Sequence, residues 1–409
     1  MARICMISLN YAPEPIGIGP YSQGWAEHLA GRGHEVRVIC GVPYYPDWQL
    51  AAGFAQEFSD SCERGVQVKR VPHHLPARPN TIGRLRHYLS FASNVRKVIR
   101  RGTADFEPEL VISIAPSLLA APVAIGAARR AGAVTWLHIQ DFEVEAAVAT
   151  GLLPGPVARL AARFEASIIS RFDRVSTISP KMVAKAEREK GAAAPVAELR
   201  NWAEPEVGGD AANGDAMRAK LDLPPGLIAL YSGNLARKQG VGLILEAARA
   251  MQARPDLQFV VCGEGPAAGE IAAAAAHLPN LHLRPLQPRD RLPDLLAMAD
   301  LHLLPQIAGA ADLVLPSKLA NMLASGRPVV ATSDPGTSLA HEVEGCGLCT
   351  PAGDTESFAR AIEALASDAS MRRSLGREAA QRATERWSRQ ALLAKMADEI
   401  ERAIAERGE

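Results

Sequence analysis

Residues 3–22, RICMISLNYAPEPIGIGPYS, decide how the fold is read. An apolar strand runs into Pro13 and Pro15, which stop it. Gly17 and Gly19 then permit a tight turn, and a helix is expected to start near Tyr21. A glycine-rich strand-to-helix loop also lets backbone N–H groups face an anion at the helix start. On this stretch alone a plain turn is the commoner reading, because glycine loops are frequent in α/β proteins, and the anion cradle is the other.

The same strand–loop–helix pattern recurs. In the first half, strands are expected at RICMISL, EVRVIC, VQVKRV, LVISIA, VTWLHI and RVSTIS. In the second half they are IALYSG, QFVVCG, LHLRPL, LHLLP, PVVAT and GLCTP, with helices such as 241–253 and 290–299 between them. Alternation of this kind predicts parallel sheets covered on both faces, here two doubly wound domains of the α/β class. A chain of 409 residues exceeds one ordinary core and fits two domains of about 200 residues. The expected division is 1–200, 201–370 and a helical segment 371–409 packing back on the domains. The join falls in the Gly-, Asp- and Pro-rich stretch 199–226, read as linker and turn.

Lys+Arg and Asp+Glu are both 45, so the basic balance of a nucleic-acid binder is missing. Residues 110–128 carry no charge, but Pro116 and Pro122 interrupt them. A buried strand followed by a packed helix explains them better than a membrane span. The six cysteines are scattered, and Cys346-Gly-Leu-Cys349 lacks the further ligands of a zinc site. No leader is read before the first strand, and a reduced, cytoplasmic setting is expected.

Ligands of doubly wound folds sit beyond the carboxyl ends of the strands. Two such domains facing each other would make a cleft. Four groups of residues are candidates for it. His138 and Asp141 close the strand VTWLHI, although a histidine in an apolar strand is more often a satisfied core residue. Asn234, Arg237 and Lys238 follow IALYSG; two cations between glycines suit a diphosphate clamp or a solvated turn. Gly263 and Glu264 make a second tight turn. In DLVLPSKLANMLASGRPVVAT, residues 312–332, Ser317 and Lys318 open a helix after Pro316 and suit phosphate oxygens. Separately, RLRHYLSFASNVRKVIRR, residues 84–101, places Leu85, Leu89, Ala92, Val95 and Ile99 on one stripe among six cations. That pattern fits a helix packed on the sheet or one lying on an anionic membrane.

Taken in order, NYAPEPIGIGPYS, GHEVRVIC, PYYP, HIQD, NW, YSGNLARKQG, GEGP, PLQP and PSKLANMLASGRPVVAT resemble family 4 of the GT-B retaining glycosyltransferases. Within it they resemble the colanic-acid-biosynthesis, fucosyltransferase-type group, over nearly the whole chain to about Trp387. The resemblance implies two facing Rossmann-like domains, the N-terminal one for the acceptor and the C-terminal one for a nucleotide-sugar donor. It implies that Arg237 and Lys238 neutralise the donor diphosphate and that Gly17 and Gly19 close over it. Ser317, Lys318 and the backbone around Leu315 and Leu319 would meet phosphate and sugar, Leu286 and Gln287 the base, and His138 and Asp141 the reacting sugar or acceptor hydroxyl. The family's pair of glutamates is absent: the first register falls on Leu313 beside Asp312, and the second on Asn321, which would still reach the ribose hydroxyls.

The implied chemistry is transfer with retention, assisted by the leaving diphosphate and needing no metal or other cofactor. The implied donor is GDP- or UDP-linked, with GDP-fucose or a UDP-linked deoxy sugar favoured. The acceptor is a saccharide or polyprenyl-linked molecule of exopolysaccharide or surface-polysaccharide biosynthesis. An acceptor on a lipid makes a peripheral membrane setting through residues 84–101 the alternative to a helix simply packed on the sheet. Two other readings stand beside it: a nucleotide-sugar epimerase of GT-B type, and a non-catalytic nucleotide- or sugar-binding partner in an assembly complex.

Overall fold

The computed structural model describes residues 1–77, 80–102, 106–149, 155–189, 191–209, 211–236, 239–307 and 315–408. The chain forms two compact units, Met1–Arg200 with Leu392–Glu409, and Asn201–Ala391. The first unit holds an eight-stranded sheet. Its strands are β1 (Arg3–Ser8), β2 (Glu35–Gly41), β3 (Ser59–Glu63), β4 (Val66–Val71), β5 (Leu110–Ala115), β6 (Val134–Ile139), β7 (Arg174–Thr177) and β8 (Val196–Glu198). They lie in the order β3-β4-β2-β1-β5-β6-β7-β8. The second unit holds β9 (Leu227–Ser232), β10 (Leu257–Cys262), β11 (Leu281–Arg284), β12 (Leu301–Leu304), β13 (Val329–Thr332) and β14 (Gly347–Thr350). Their order is β11-β10-β9-β12-β13-β14, and every pairing is parallel.

The central strands are apolar throughout because helices cover both faces of a parallel sheet. All six residues of β5, β6 and β10 are buried. The uncharged stretch 110–128 resolves into β5 and the helix Ala121–Ala131, as expected. No helix among the described residues is long and apolar enough to cross a membrane.

Three sequence expectations need correction. The first sheet is not wholly parallel: β3 pairs antiparallel with β4 across a turn at Arg64 and Gly65, both with positive φ. β3 reads SDSCE, an exposed polar edge without the apolar pattern that marks a strand. The stretch 199–226 is more than a linker. Asn213 caps a helix at Gly214–Lys220, and Trp202, Ala203 and Val207 are buried. The helix Thr81–Gly102 splits its apolar residues between two faces. The inward ridge is His87, Phe91, Val95 and Ile99, every fourth residue, with Ala92 beside it. Such a ridge slants around the helix. Leu85 and Leu89, which the pattern joined to that stripe, are turned outward at 49% and 50% exposure.

The segment 371–409 is shared between the units. The helix Ala369–Trp387 packs in the second through Ala379, Ala383 and Trp387. The last residues join the first, where Arg32 bridges Asp398 at 2.8 Å and Glu401 at 2.9 Å.

Candidate functional site

In the second unit the chain leaves β9 for β10 and β11, then returns to the other side of β9 as β12. The loops after β9 and β12 therefore diverge, and a crevice opens between them at the carboxyl ends of the strands. Asn234 is exposed in the first of these loops. Arg237 and Lys238 follow it and lie outside the described residues, as do Asp312 and Leu313 in the second loop.

The helix Ser317–Ala324 starts at this crevice, with Ser317 exposed at its first position. Lys318 turns back over the end of β9. Its Nζ lies 3.0 Å from the Tyr231 hydroxyl and 4.3 Å from the centroid of the Tyr231 ring. It approaches so closely that a Cβ on Gly233 (φ +133) would stand 2.6 Å from Nζ. Among the described residues Lys318 has no carboxylate partner. Burial pushes its ammonium down to about 8. A half-desolvated cation with a hydroxyl and a ring face for company is poised for an anion.

Glycines shape the neighbouring turn. A Cβ on Gly263 would overlap the Gly233 carbonyl oxygen. Gly265 has φ +147, and a Cβ there would lie 2.8 Å from Asn234 Oδ1. The two loops are stitched together by Gly233 N–H to Cys262 O at 2.9 Å and Leu235 N–H to Glu264 O at 2.8 Å. The Glu264 side chain is exposed. At the end of β11, Leu286 is 46% exposed, and Gln287 donates its amide to Pro285 O at 2.9 Å. Leu315 and Leu319 are buried in the core and expose no side chain to a ligand.

Asn321 is already engaged: its Oδ1 accepts the Glu204 N–H at 2.7 Å. Glu204 in turn pairs with Arg289. So Asn321 is held by the backbone of a glutamate from another element, whose carboxylate is on Arg289. Sequence spacing could not show this, because the pairs span 117 and 85 residues.

The first unit repeats the geometry between β1 and β5. Gly17 has φ +73, and a Cβ there would press on the Tyr45 ring at 3.1 Å. Gly19 opens the helix Gly19–Gly31, closely packed on Glu14 and the Tyr11 carbonyl. Glu14, 4% exposed, was not singled out in the sequence. Its Oε1 accepts the N–H groups of Tyr44 and Tyr45, both at 3.0 Å, and its Oε2 accepts from Asn10 at 2.9 Å. Burial raises its pKa against the pull of those donors. Its place between two prolines was the available signal.

His138 is 1% exposed and packs against Trp25, ring centroids 4.4 Å apart and planes tilted by 45°. Its Nδ1 lies 2.9 Å from Ser176 Oγ, and its Nε2 lies 2.9 Å from the Gln140 amide nitrogen. Because that amide donates, Nε2 accepts and the proton sits on Nδ1. Burial holds its pKa down to about 3. His138 is therefore a neutral, fully occupied ring behind Gln140. Asp141 is exposed at the strand end. Near it, Glu143 Oε1 accepts the N–H groups of Ser117 and Leu118 at 2.5 and 2.6 Å. Burial pushes the Glu143 carboxyl up to about 7.

Two Rossmann-like sheets, each with a crevice at its switch point, fit the GT-B class of proteins. Comparison with known proteins gives the family. Residues 17–202 match the glycosyl transferase 4-like domain, and residues 226–368 match glycosyl transferases group 1. The chain is 39% identical over 373 residues to WcaI of Escherichia coli K12, named for colanic acid biosynthesis glycosyl transfer; the match covers 88% of this chain and 91% of WcaI. It is 28% identical over 177 residues to the alpha-D-kanosaminyltransferase of Streptomyces kanamyceticus, covering 41% of this chain and 45% of that one. In structure it is similar to a sucrose-phosphate synthase of Thermosynechococcus elongatus, with TM-score 0.77 and 17% identity over 99% of this chain and 100% of the other. It is also similar to HepE of Anabaena, solved with UDP and glucose, with TM-score 0.69 and 15% identity over 98% and 100%. The chain belongs to the family 4 glycosyltransferases of GT-B fold.

Proposed function

We propose that the chain is a retaining glycosyltransferase. It moves a sugar from a nucleoside-diphosphate donor to a saccharide or lipid-linked acceptor in the making of a surface polysaccharide or exopolysaccharide. The observation that carries this reading is Lys318. Its ammonium lies over Gly233 at the mouth of the second unit's crevice, 3.0 Å from the Tyr231 hydroxyl and unmatched by a carboxylate among the described residues. A diphosphate supplies the missing charge, with the amides at the start of helix Ser317–Ala324 and the Ser317 hydroxyl adding donors. Arg237 and Lys238 complete the clamp in this reading. Charge that develops on the leaving diphosphate is then met by fixed cations, which is the main work asked of the protein.

Asn234, Gly263 and Glu264 form the wall of the donor site, and Leu286 with Gln287 faces the base. In the first unit, Gly17 and Gly19 shape the acceptor-side loop. Asp141 takes the acceptor hydroxyl, and His138 holds Gln140 in position without exchanging a proton. The colanic-acid name of WcaI supports a surface-polysaccharide acceptor, and the UDP held by HepE supports a nucleotide donor. The outward residues Ile82, Leu85 and Leu89, beside the cations of helix Thr81–Gly102, support a peripheral membrane setting through residues 84–101.

Titration calorimetry of the full chain with UDP, GDP, ADP and dTDP tests the donor reading. One nucleotide binds, and Lys318→Ala or Lys238→Ala weakens it at least tenfold. The anomeric configuration of the product tests retention. A protein that gives no heat with any of the four loses the reading. Binding without turnover would favour a non-catalytic partner instead, a reading kept in view by Asn321, whose oxygen is committed to Glu204.

A further inference from the structure

A second helix of the first unit shares the surface character of Thr81–Gly102. In Gly155–Ile169, Ile168 and Ile169 enter the core with Phe172, Leu137 and Ile139. The flank beside that buried face is apolar too: Val157 is 49% exposed, Leu160 70% and Phe164 42%. Residues three and four apart form one stripe on a helix, so these three make a continuous ridge in water. Exposed Arg159 and Arg163 flank it. The helix contains one acid, Glu165, which is 2% exposed and so absent from that side.

The two helices occupy the same face of the sheet. One connects β4 to β5 and the other lies between β6 and β7. Both connections run in the same direction along the strand order. Right-handed crossovers that run the same way place their helices on one side. The core agrees. Ala124, Ala127 and Ala128 of helix Ala121–Ala131 pack with Phe91, Ala92 and Val95, while Ala121 and Ile125 of the same helix pack with Ile168 and Ile169. Helix Ala121–Ala131 therefore lies between the other two. Each of the outer helices also begins beyond the carboxyl end of a strand, β4 or β6. Their exposed ridges, Ile82-Leu85-Leu89 and Val157-Leu160-Phe164, lie in the leading part of each helix, toward the carboxyl edge of the sheet.

We infer that Gly155–Ile169 is a second lipid-contacting helix, and that the first unit lies on an anionic bilayer through both ridges together. The occupant is argued from charge. Helix Thr81–Gly102 contains no acid, and its outer surface carries Arg86, Arg96, Lys97, Arg100 and Arg101. The chain as a whole has net charge +0, so this face concentrates cations that the rest of the molecule balances. Apolar residues that enter the acyl boundary beside arginines at headgroup level are the arrangement a negatively charged interface holds. Two contacts on one rigid unit bind jointly, so loss of either ridge weakens the whole. The inference rests on the membrane setting proposed above for residues 84–101.

The test is co-sedimentation of the full chain with vesicles of phosphatidylcholine containing about 30% phosphatidylglycerol, and with phosphatidylcholine alone, at low and high salt. The wild type partitions to the anionic vesicles, and salt releases it. Leu160→Glu with Phe164→Glu lowers the partition coefficient at least tenfold, and so does Leu85→Glu with Leu89→Glu. Arg159→Gln with Arg163→Gln lowers it and flattens the salt dependence. All these positions are exposed, and unchanged circular dichroism and melting temperature confirm folding. Wild-type binding that Leu160→Glu with Phe164→Glu leaves unchanged would overturn the second contact and keep the first. No wild-type binding would overturn both, leaving the donor site to be judged by its own calorimetry. A dimer in solution that the Leu160 and Phe164 changes convert to monomer would assign the ridge to a second copy of the chain instead.

Discussion

The Lys318 ammonium rests on the Tyr231 ring, 4.3 Å from its centroid, with the Tyr231 hydroxyl 3.0 Å away. A lysine held below its ordinary pKa releases its proton more readily in the folded state than in the unfolded one. Its folded value is about 8 against 10.5. Below pH 8 the native state carries the full cost of the buried charge, and stability gains as pH rises from 8 to 10.5. Lys318→Met is therefore expected to raise the unfolding free energy at pH 7 by about 1–2 kcal/mol while weakening diphosphate binding at least tenfold. In the wild type, nucleotide affinity falls as pH rises above 8, and in Lys318→Met that fall disappears. Chemical denaturation and calorimetry across pH 7–9.5 check both. A variant that loses stability along with affinity would show that Lys318 holds the fold together instead.

The glycines of the second unit separate into those that the turn requires and those it does not. Gly263 has the Gly233 carbonyl where a Cβ would go. Gly269, in the helix Ala268–Ala275, has open space. Gly263→Ala is expected to destabilise by about 2–3 kcal/mol and to abolish nucleotide binding by pushing the β9 loop outward. Gly269→Ala is expected to stabilise by roughly 0.5–1 kcal/mol through the lost freedom of the unfolded chain. Urea melts of the two variants give the contrast, and equal effects would contradict the packing of the loops.

Glu14 joins the loop after β1 to the backbone of Tyr44 and Tyr45. Glu14→Ala leaves two amide N–H groups without their acceptor in a buried place, at a cost of roughly 2–4 kcal/mol. Glu14→Gln keeps one oxygen for those amides but turns an N–H toward Asn10, and is expected to cost about 1 kcal/mol. The order Ala worse than Gln is the outcome to check by denaturation. The reverse order would mean that the amide N–H set against the Asn10 donor costs more than the two lost acceptor bonds.

Twelve strands were legible in the sequence because buried parallel strands leave unbroken apolar runs such as LVISIA and VTWLHI. β3 was not, since an exposed edge strand has no core face to pattern, and β8 was not, since Val196–Glu198 is too short to show a period. The candidate site of the second unit could be located from local signals, glycine turns and a Pro-Ser-Lys helix start. Tyr231, Glu204 and Arg289 were not, because each joins the site across 85 residues or more, and no local pattern encodes the far partner. The basic helix Thr81–Gly102 was read as a single stripe because a linear list of apolar positions does not show that the buried ridge slants away from Leu85 and Leu89.

Buried histidines set the response to acid. His138 in the first unit and His302 in the second are both held near 3 by burial. The folded state therefore refuses protons that the unfolded state takes up from about 6.5 downward. For each, stability is complete above pH 6.5 and is lost as pH falls toward 3. In the first unit this loss is offset, because burial raises Glu143 to about 7, so that it takes up a proton on folding between pH 4.5 and 7, and burial raises Glu14 in the same direction. In the second unit the described residues give His302 no such counterweight. Its Nε2 lies 2.8 Å from Ser325 Oγ, and its Nδ1 is buried without a partner. His302→Leu is expected to remove a slope of about 1.4 kcal/mol per pH unit between pH 4 and 6. Denaturation of wild type and variant across that range reads the difference directly. His138 leads to a kinetic prediction on the same grounds: a ring that stays neutral to about pH 3 contributes no inflection to the transfer rate between pH 5 and 8. An inflection in that range that His138→Gln abolishes would give the ring a proton to exchange, and would return it to the chemistry.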